Sequence, residues 1–416
     1  MSEFLIGRQP IFNRNLDVVA YELLYRSSST NRADVVDGDE ATKQVIVNAF
    51  SNKGLDALVG KEKDTKAYIN ATRNTIMDLV ATPQLLPMKR VVIEVLEDIV
   101  IDQPLIDALK MLKKEGYTLA LDDVVEIKKV SRLLELAAII KFDLMGFPRQ
   151  DEDALYRMMH NFMFSLQGQN LYLLAEKVET QAEFDMCREF GFHLFQGYFL
   201  CKPTIVKGRK LDASRMVALR SISHLQDPNY DPKKMEAIIS QDVSMVNKLL
   251  KVINSGYYSM PTPIKSIGQA ITMLGSKQLA AWMTLMLMGS VEKPHELTTI
   301  ALQRAKMCEG FARAKGLAHA ETYFLVGLLS VLDALMDKSM EELVADMPIS
   351  PDVIDALLSH SGQLGAILET VIAYELGNFE PVLKLRLSSE TIRSVYLDSI
   401  ETAARTMKEM YTVQAK

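Results

Sequence analysis

Cysteine is scarce in this chain: three residues in 416, at positions 187, 201 and 308, odd in number and without metal-ligand spacing. That excludes a disulfide framework and a thiolate metal centre, and it suits a reducing compartment. Histidine is scarce as well. None of the six is followed by Asp, and His295-Glu296 has no second His at helical spacing, so a zinc-binding helix is excluded. Excess positive charge is missing, since the net charge of -6 provides no electrostatic footprint for nucleic acid. Long apolar runs are also missing. The stretches 281–288 and 324–336 are too short to cross a bilayer, and Asp333 interrupts the second. The opening MSEFLIGRQP lacks the basic start and apolar centre of a signal peptide. A cytoplasmic protein is expected, with no membrane partner and no direct nucleic-acid binding.

A hydrophobic share of 48% and a charged share of 24% are ordinary for a globular protein, so most of the chain is expected to be ordered. A length of 416 residues exceeds what one core commonly holds, which argues for two domains or more. From Leu16 a pattern repeats: an apolar run, a polar residue near its end, then a helical stretch. The runs are 18–26, 67–70, 90–97, 118–124, 138–144, 170–178 and 194–200. The segment 103–115 between two of them carries Leu105, Ile106, Leu109 and Leu112 on one helical face. This alternation implies a largely parallel sheet, and so many units in half the chain suggest a closed (β/α) barrel.

In such barrels chemistry sits where the strands end. The polar residues placed there are Glu22, Asn70, Glu94, Asp122 with Asp123, Lys141, Glu176 and Gln196. Carboxylates this dense repel one another unless cations neutralise them. Oxygen donors favour Mg²⁺ or Mn²⁺ over zinc, and two such ions would clamp an in-line phosphoryl displacement. Lys141 among the carboxylates would hold the attacking water or neutralise a leaving phosphate.

These segments resemble the EAL domain, the cyclic-di-GMP phosphodiesterase fold, over residues 1–205. Glu22-Leu23-Leu24-Tyr25-Arg26 keeps the Glu-x-Leu-x-Arg pattern without the middle Ala. IEVLE, LDDV, IIKFD, LAEKVET and FQGYFLCKP follow in the family's order and spacing. The resemblance implies that Glu22, Asn70, Glu94 and Asp122 ligate metal, with Asp123 serving a second ion. It implies that Lys141 contacts the attacking water, that Glu176 is the base or its orienting partner, and that Glu179 and Gln196 support the site. Arg26 would hold a phosphate or guanine of the ligand, a role suited to its planar fork of donors. Two departures stand out. The Phe-Gly-Thr-Gly-Tyr-Ser-Ser loop of active members is replaced by Val124 to Val130, which removes the loop partner of the anchoring Glu97, and AEKVET has Lys177 where Gly is usual.

The stretch 201–211, CKPTIVKGRKL, separates the barrel from a region without strand signals, so a linker is placed at 206–213 and an all-helical domain at 214–416. Within it, Asp242, Leu249-Leu250, Asn254-Ser255, Ser266-Ile267 and Leu274-Gly275 resemble the marks of the HDOD domain. That domain is similar to metal-dependent HD phosphohydrolases without their metal, and Gly327 to Val331 stands where the His-Asp pair is expected. A non-catalytic module for regulation or a protein partner is implied. The Met-rich 282–289 reads as core packing. Together the halves resemble the EAL-HDOD proteins of bacteria typified by the YuxH family. The fold class is therefore α/β plus all-α: a (β/α)8 TIM-like barrel followed by a helical domain. The implied activity is hydrolysis of cyclic-di-GMP to linear pGpG in control of motility or biofilm formation, with a homodimer possible. The altered loop supports the alternatives of a cyclic-di-GMP receptor or a protein-interaction scaffold. A chain cut near 210 is expected to leave a folded barrel.

Overall fold

The computed structural model describes residues 4–414 apart from 28–53, 61–64, 83–85, 125, 147–151, 202–212, 226–229, 243–244, 247–248, 251–252, 254–263, 265, 289–293 and 346–348. The expected linker therefore lies almost wholly outside the described residues, as do Asn254 and Ser255. Two compact units are present: Met1–Leu200 with Ala373–Leu397, and Cys201–Ile372 with Asp398–Lys416.

The first unit is a closed eight-stranded barrel whose strands neighbour one another in chain order. They are β1 (Phe4–Asn13), β2 (Val18–Ser27), β3 (Lys66–Ala71), β4 (Val91–Val95), β5 (Thr118–Leu121), β6 (Ile139–Asp143), β7 (Tyr172–Glu176) and β8 (Leu194–Phe195). Strands β2 to β8 run parallel, whereas β1 pairs antiparallel with both β2 and β8. The repeat read from residue 16 misses β1, because Gly7, Arg8, Gln9 and Pro10 interrupt its apolar pattern and proline is rare inside sheets. Leu5, Ile6, Ile11 and Phe12 are nonetheless buried.

The helix Gln103–Glu115 shows how local signals place the outer layer. Asp102 caps it by accepting from the Leu105 N–H, Pro104 opens it, and Gly116 closes it at φ 101°. Its buried face includes Leu105, Ile106, Leu109 and Leu112, as the periodicity requires.

Inside the barrel, Ile11, Ala20, Tyr68, Val92, Ala120, Ile139 and Leu174 form one apolar layer, with Leu194 packed against it. Side chains two positions apart on a strand share a face. One step further along each parallel strand therefore come Glu22, Asn70, Glu94, Asp122, Lys141, Glu176 and Gln196. On antiparallel β1 the step runs backwards and reaches Gln9, which pairs with Glu22. A polar layer thus lies directly on an apolar floor. This layering corrects the placement of Glu22 and Lys141: both lie within their strands, not at the ends.

The helical domain expected at 214–416 differs from the observed units, since Ala373–Leu397 groups with the barrel. The reason is an aromatic clasp. The buried Tyr374 hydroxyl donates to the Ile6 carbonyl at 2.6 Å, and Tyr374 packs against Phe379 and Tyr396. Gly7 faces the Phe379 ring, with space for a Cβ only 3.2 Å away, while Gly377, at φ 78°, lies against Leu24. Gly7 and Leu24 are cross-strand partners one step beyond the Gln9 and Glu22 pair. The segment therefore stands at the rim of the polar layer, and Gln9 Nε2 reaches the Glu375 carbonyl at 3.4 Å.

The second unit is helical throughout its described residues. Asp231 caps the helix Pro232–Ile239 by accepting from the Lys233 N–H, and Pro351 opens Pro351–Ser359. The Leu-Gly mark has a physical cause: Gly275 (φ 67°, ψ 168°) kinks the helix Ile267–Met288. Trp282 and Met283 of the Met-rich run are buried. Among the described residues no helix is long and apolar enough to cross a membrane.

The clasp yields a local prediction. Tyr374→Phe leaves the Ile6 carbonyl buried without its donor, a loss of about 1–3 kcal/mol, and should raise amide hydrogen exchange across β1 about tenfold or more. A chain cut after residue 210 lacks the whole clasp and should exchange β1 faster still. Unchanged β1 protection in both would show that the clasp contributes nothing to the barrel.

Candidate active site

Lys141 is the centre of the polar layer. Its side chain is 1% exposed, and its Nζ lies 2.5 Å from Glu94 Oε1, 2.7 Å from Asp122 Oδ1, 2.7 Å from Glu176 Oε1 and 3.4 Å from Glu22 Oε2. An ammonium carries three protons and one charge, so it cannot satisfy four carboxylates. Glu22 has further support: Asn70 Nδ2 donates to Oε1 at 3.0 Å and Gln196 Nε2 to Oε2 at 2.7 Å. Gln196 Nε2 also donates to Gln9 Oε1 at 2.9 Å, tying β8, β1 and β2 together.

The carboxyls titrate differently because their surroundings differ. Burial pushes Glu22 up, but the Lys141 charge and the donors Gln196 and Asn70 outweigh it and hold its pKa below the ordinary value. Burial drives Glu94 well above that value, with the Glu22 charge adding to the shift. Burial also raises Asp122 against the pull of Lys141, and it lifts Glu176 to about 8. Lys141 is itself desolvated, yet the carboxylates around it keep it charged.

The donor set fits a hard divalent cation. Glu94 Oε2 and Glu176 Oε2 are buried and have no hydrogen-bond partner among the described residues. Oxygens of Asp122, Asp123 and Glu176 lie within 4.8 Å of one another. All these donors are oxygen, the chemistry of magnesium, manganese or calcium sites.

Asp123, at φ 46°, sits just past β5 and more open to solvent than Asp122, and Lys177 Nζ approaches its Oδ1 at 3.3 Å. Glu179 is half-buried after β7, its N–H held by Glu183 Oε2 at 2.6 Å. Glu97 is exposed in the turn after β4. The loop it was expected to anchor is held instead by the Val124 N–H on the Lys141 carbonyl at 2.9 Å, and it forms a short helix, Ile127–Val130. Arg26 lies on β2 opposite Leu5, and its side chain is outside the described residues. Sequence reasoning missed Gln9 and Asp143. Reading Phe4–Asn13 as an antiparallel strand would have found Gln9.

In the second unit the helix Ala320–Leu329 ends in the segment expected for a His-Asp pair. There the fully buried Arg304 donates from Nη1 to Ser330 Oγ at 2.9 Å, and Ser330 Oγ donates to the Gly327 carbonyl at 2.7 Å. A guanidinium, which repels metal ions, occupies this place.

Protein-family models match the chain twice, the EAL domain at residues 3–203 and the HDOD domain at residues 212–346. Over 408 residues the chain is 33% identical to the uncharacterized protein YuxH of Bacillus subtilis (strain 168), covering 95% of this chain and 97% of that protein. The chain belongs to the EAL-HDOD family. This EAL-HDOD protein is also 33% identical over 404 residues to the cyclic di-GMP phosphodiesterase CdgJ of Vibrio cholerae serotype O1, covering 95% of this chain and 91% of CdgJ. Among solved structures it is similar to the FimX EAL domain at 18% identity and a TM-score of 0.40, covering 48% of this chain and 89% of that one. It is also similar to the Bacillus subtilis YkuI protein, solved in complex with substrate c-di-GMP and calcium. The identity there is 18% and the TM-score 0.39, with 67% of this chain and 72% of that one covered.

The buried carboxyls predict the pH dependence of the metal-free EAL-HDOD protein. Glu176 keeps its proton to about 8 when folded and loses it near 4.5 when unfolded. The folded state then binds more protons, so stability is full below 4.5 and is lost as pH rises through about 8. In chelator, the thermal midpoint of the barrel should fall across that window, and Glu176→Gln should flatten the slope. A midpoint that rises with pH would contradict the burial of these groups.

Proposed function

We propose that the barrel hydrolyses one phosphodiester of cyclic-di-GMP to linear pGpG, and that the HDOD unit is its regulatory or partner-binding module. The observation that carries this reading is the buried ring of Glu22, Glu94, Asp122 and Glu176 around Lys141. Four carboxyls face one ammonium there, an excess of negative charge that an added cation would offset. The match of nearly the whole chain to a protein named as a cyclic di-GMP phosphodiesterase supports it. Glu22, Asn70, Glu94 and Asp122 would hold Mg²⁺ or Mn²⁺, with Asp123 beside them.

The metal, when bound, supplies charge neutralisation at the phosphate and a water acidic enough to attack. Glu176, which burial lifts to about 8, would act as the base only after giving up its own proton, a loss that a cation bound among its neighbours favours, and would then take the proton of the attacking water. Lys141 stays protonated and is fixed by its carboxylate neighbours, so it orients the water and stabilises charge on the phosphate without exchanging protons. Gln196 and Asn70 hold Glu22 in its ligating orientation. Arg26 would grip a ligand phosphate or guanine. The short helix Ile127–Val130, in place of a glycine-bearing loop, favours a second reading in which the barrel binds the nucleotide without cutting it.

Calorimetric titration of the full chain with cyclic-di-GMP in Ca²⁺, then chromatography of the nucleotide after incubation in Mg²⁺ or Mn²⁺, separates the two. Binding followed by conversion to pGpG is expected. Binding without conversion makes the protein a receptor, and no binding overturns both. Glu22→Ala should abolish conversion, and residual activity would refute its role as a metal ligand. Arg26→Ala should weaken binding about tenfold or more, the cost of one charge-assisted contact.

A further inference from the structure

We propose that the Lys177 ammonium is the built-in second cation of this site, so that the barrel takes one divalent ion among Glu22, Asn70, Glu94 and Asp122 and none on Asp123. The inference rests on the metal-assisted reading above and changes only its ion count.

Lys177 directly follows Glu176 at the end of β7. Its Nζ lies 2.7 Å from Asp143 Oδ2 and 3.3 Å from Asp123 Oδ1. Asp143 is held in place for this contact, because its other oxygen accepts the Met145 N–H at 2.7 Å. The oxygens of Asp122, Asp123 and Glu176 lie within 4.8 Å of one another, a spacing that one shared cation would bridge. The ammonium already stands at the Asp123 corner. A dication placed on Asp123 would either face that ammonium at short range or displace it from two carboxylates. Mutual repulsion between cations at such distances weakens the second to arrive.

The backbone points the same way. Lys177 is held at φ 53° and Asp123 at φ 46°, the left-handed region that lysine and other side-chain-bearing residues enter at a cost and glycine enters freely. Both ends of one ion pair adopt it. Strained positions of this kind persist where the surroundings hold them, and they cluster at functional sites. Here the two strained residues are joined by the 3.3 Å contact of Lys177 Nζ with Asp123 Oδ1. The chemical consequence is a single charge tethered by two carboxylates in place of a double one. Asp123 then tethers a lysine instead of ligating metal, and metal uptake depends on one ion alone.

Metal counting tests this without any turnover. The full chain is stripped with chelator and titrated with Mn²⁺ alone, bound ion being counted by calorimetry and by loss of the free-ion electron paramagnetic signal. One site per chain is expected in the wild type and in Lys177→Arg, and two in Lys177→Met and in Lys177→Gly, which also removes the backbone strain. Two sites in the wild type, or one site in either neutral variant, overturns the inference and leaves the metal-assisted reading standing. No bound Mn²⁺ in the wild type overturns both.

Discussion

Everything in the barrel depends on bringing one buried ammonium, Lys141, into contact with four carboxylates from four other strands. Isolated burial of any of these groups is costly, and the ammonium offsets only part of the carboxylate charge. The remainder is offset by protons held on the raised carboxyls or by cations. A site built this way is under electrostatic tension that cations, or protons on Glu94, Asp122 and Glu176, relieve. The same tension holds Glu176 in the range where a proton can move.

Barrel closure makes the arrangement possible. The apolar floor of Ile11, Ala20, Tyr68, Val92, Ala120, Ile139 and Leu174 keeps water from reaching the polar layer from below. Register does the rest, because a slip of one residue on any strand would turn its polar side chain outward. Gln9 and Gln196 close the ring where antiparallel β1 meets its two neighbours. The antiparallel strand thus contributes an amide, which bridges neighbours without adding to the charge.

The polar layer was legible in the sequence because each of its parallel strands carries one chemically distinctive residue within or just after an apolar run. Glu22, Asn70, Glu94, Asp122, Lys141, Glu176 and Gln196 all announce themselves this way. Gln9 did not, since Pro10 and Arg8 beside it mask the strand and its direction reverses the reading order. The clasp of Tyr374, Phe379 and Tyr396 was illegible for a different reason: its partners, Ile6 and Gly7, lie more than 360 positions away, and no local pattern encodes so distant a contact. Arg304 looks like a surface residue on a charged helix until the turn at Ser330 is placed over it. Lys177 was visible as an oddity, but its partners Asp123 and Asp143 emerged only from the geometry.

The split of the barrel unit around residues Cys201–Ile372 has a consequence for synthesis. A ribosome adds roughly 5–20 residues per second, so the 172 residues of Cys201–Ile372 take on the order of 10–35 seconds to emerge. During that interval all eight strands exist, but the edge at Ile6 and Gly7 is bare. The nascent barrel then has an open flank at its own doorway, and only Ala373–Leu397, made well after the strands, can shut it.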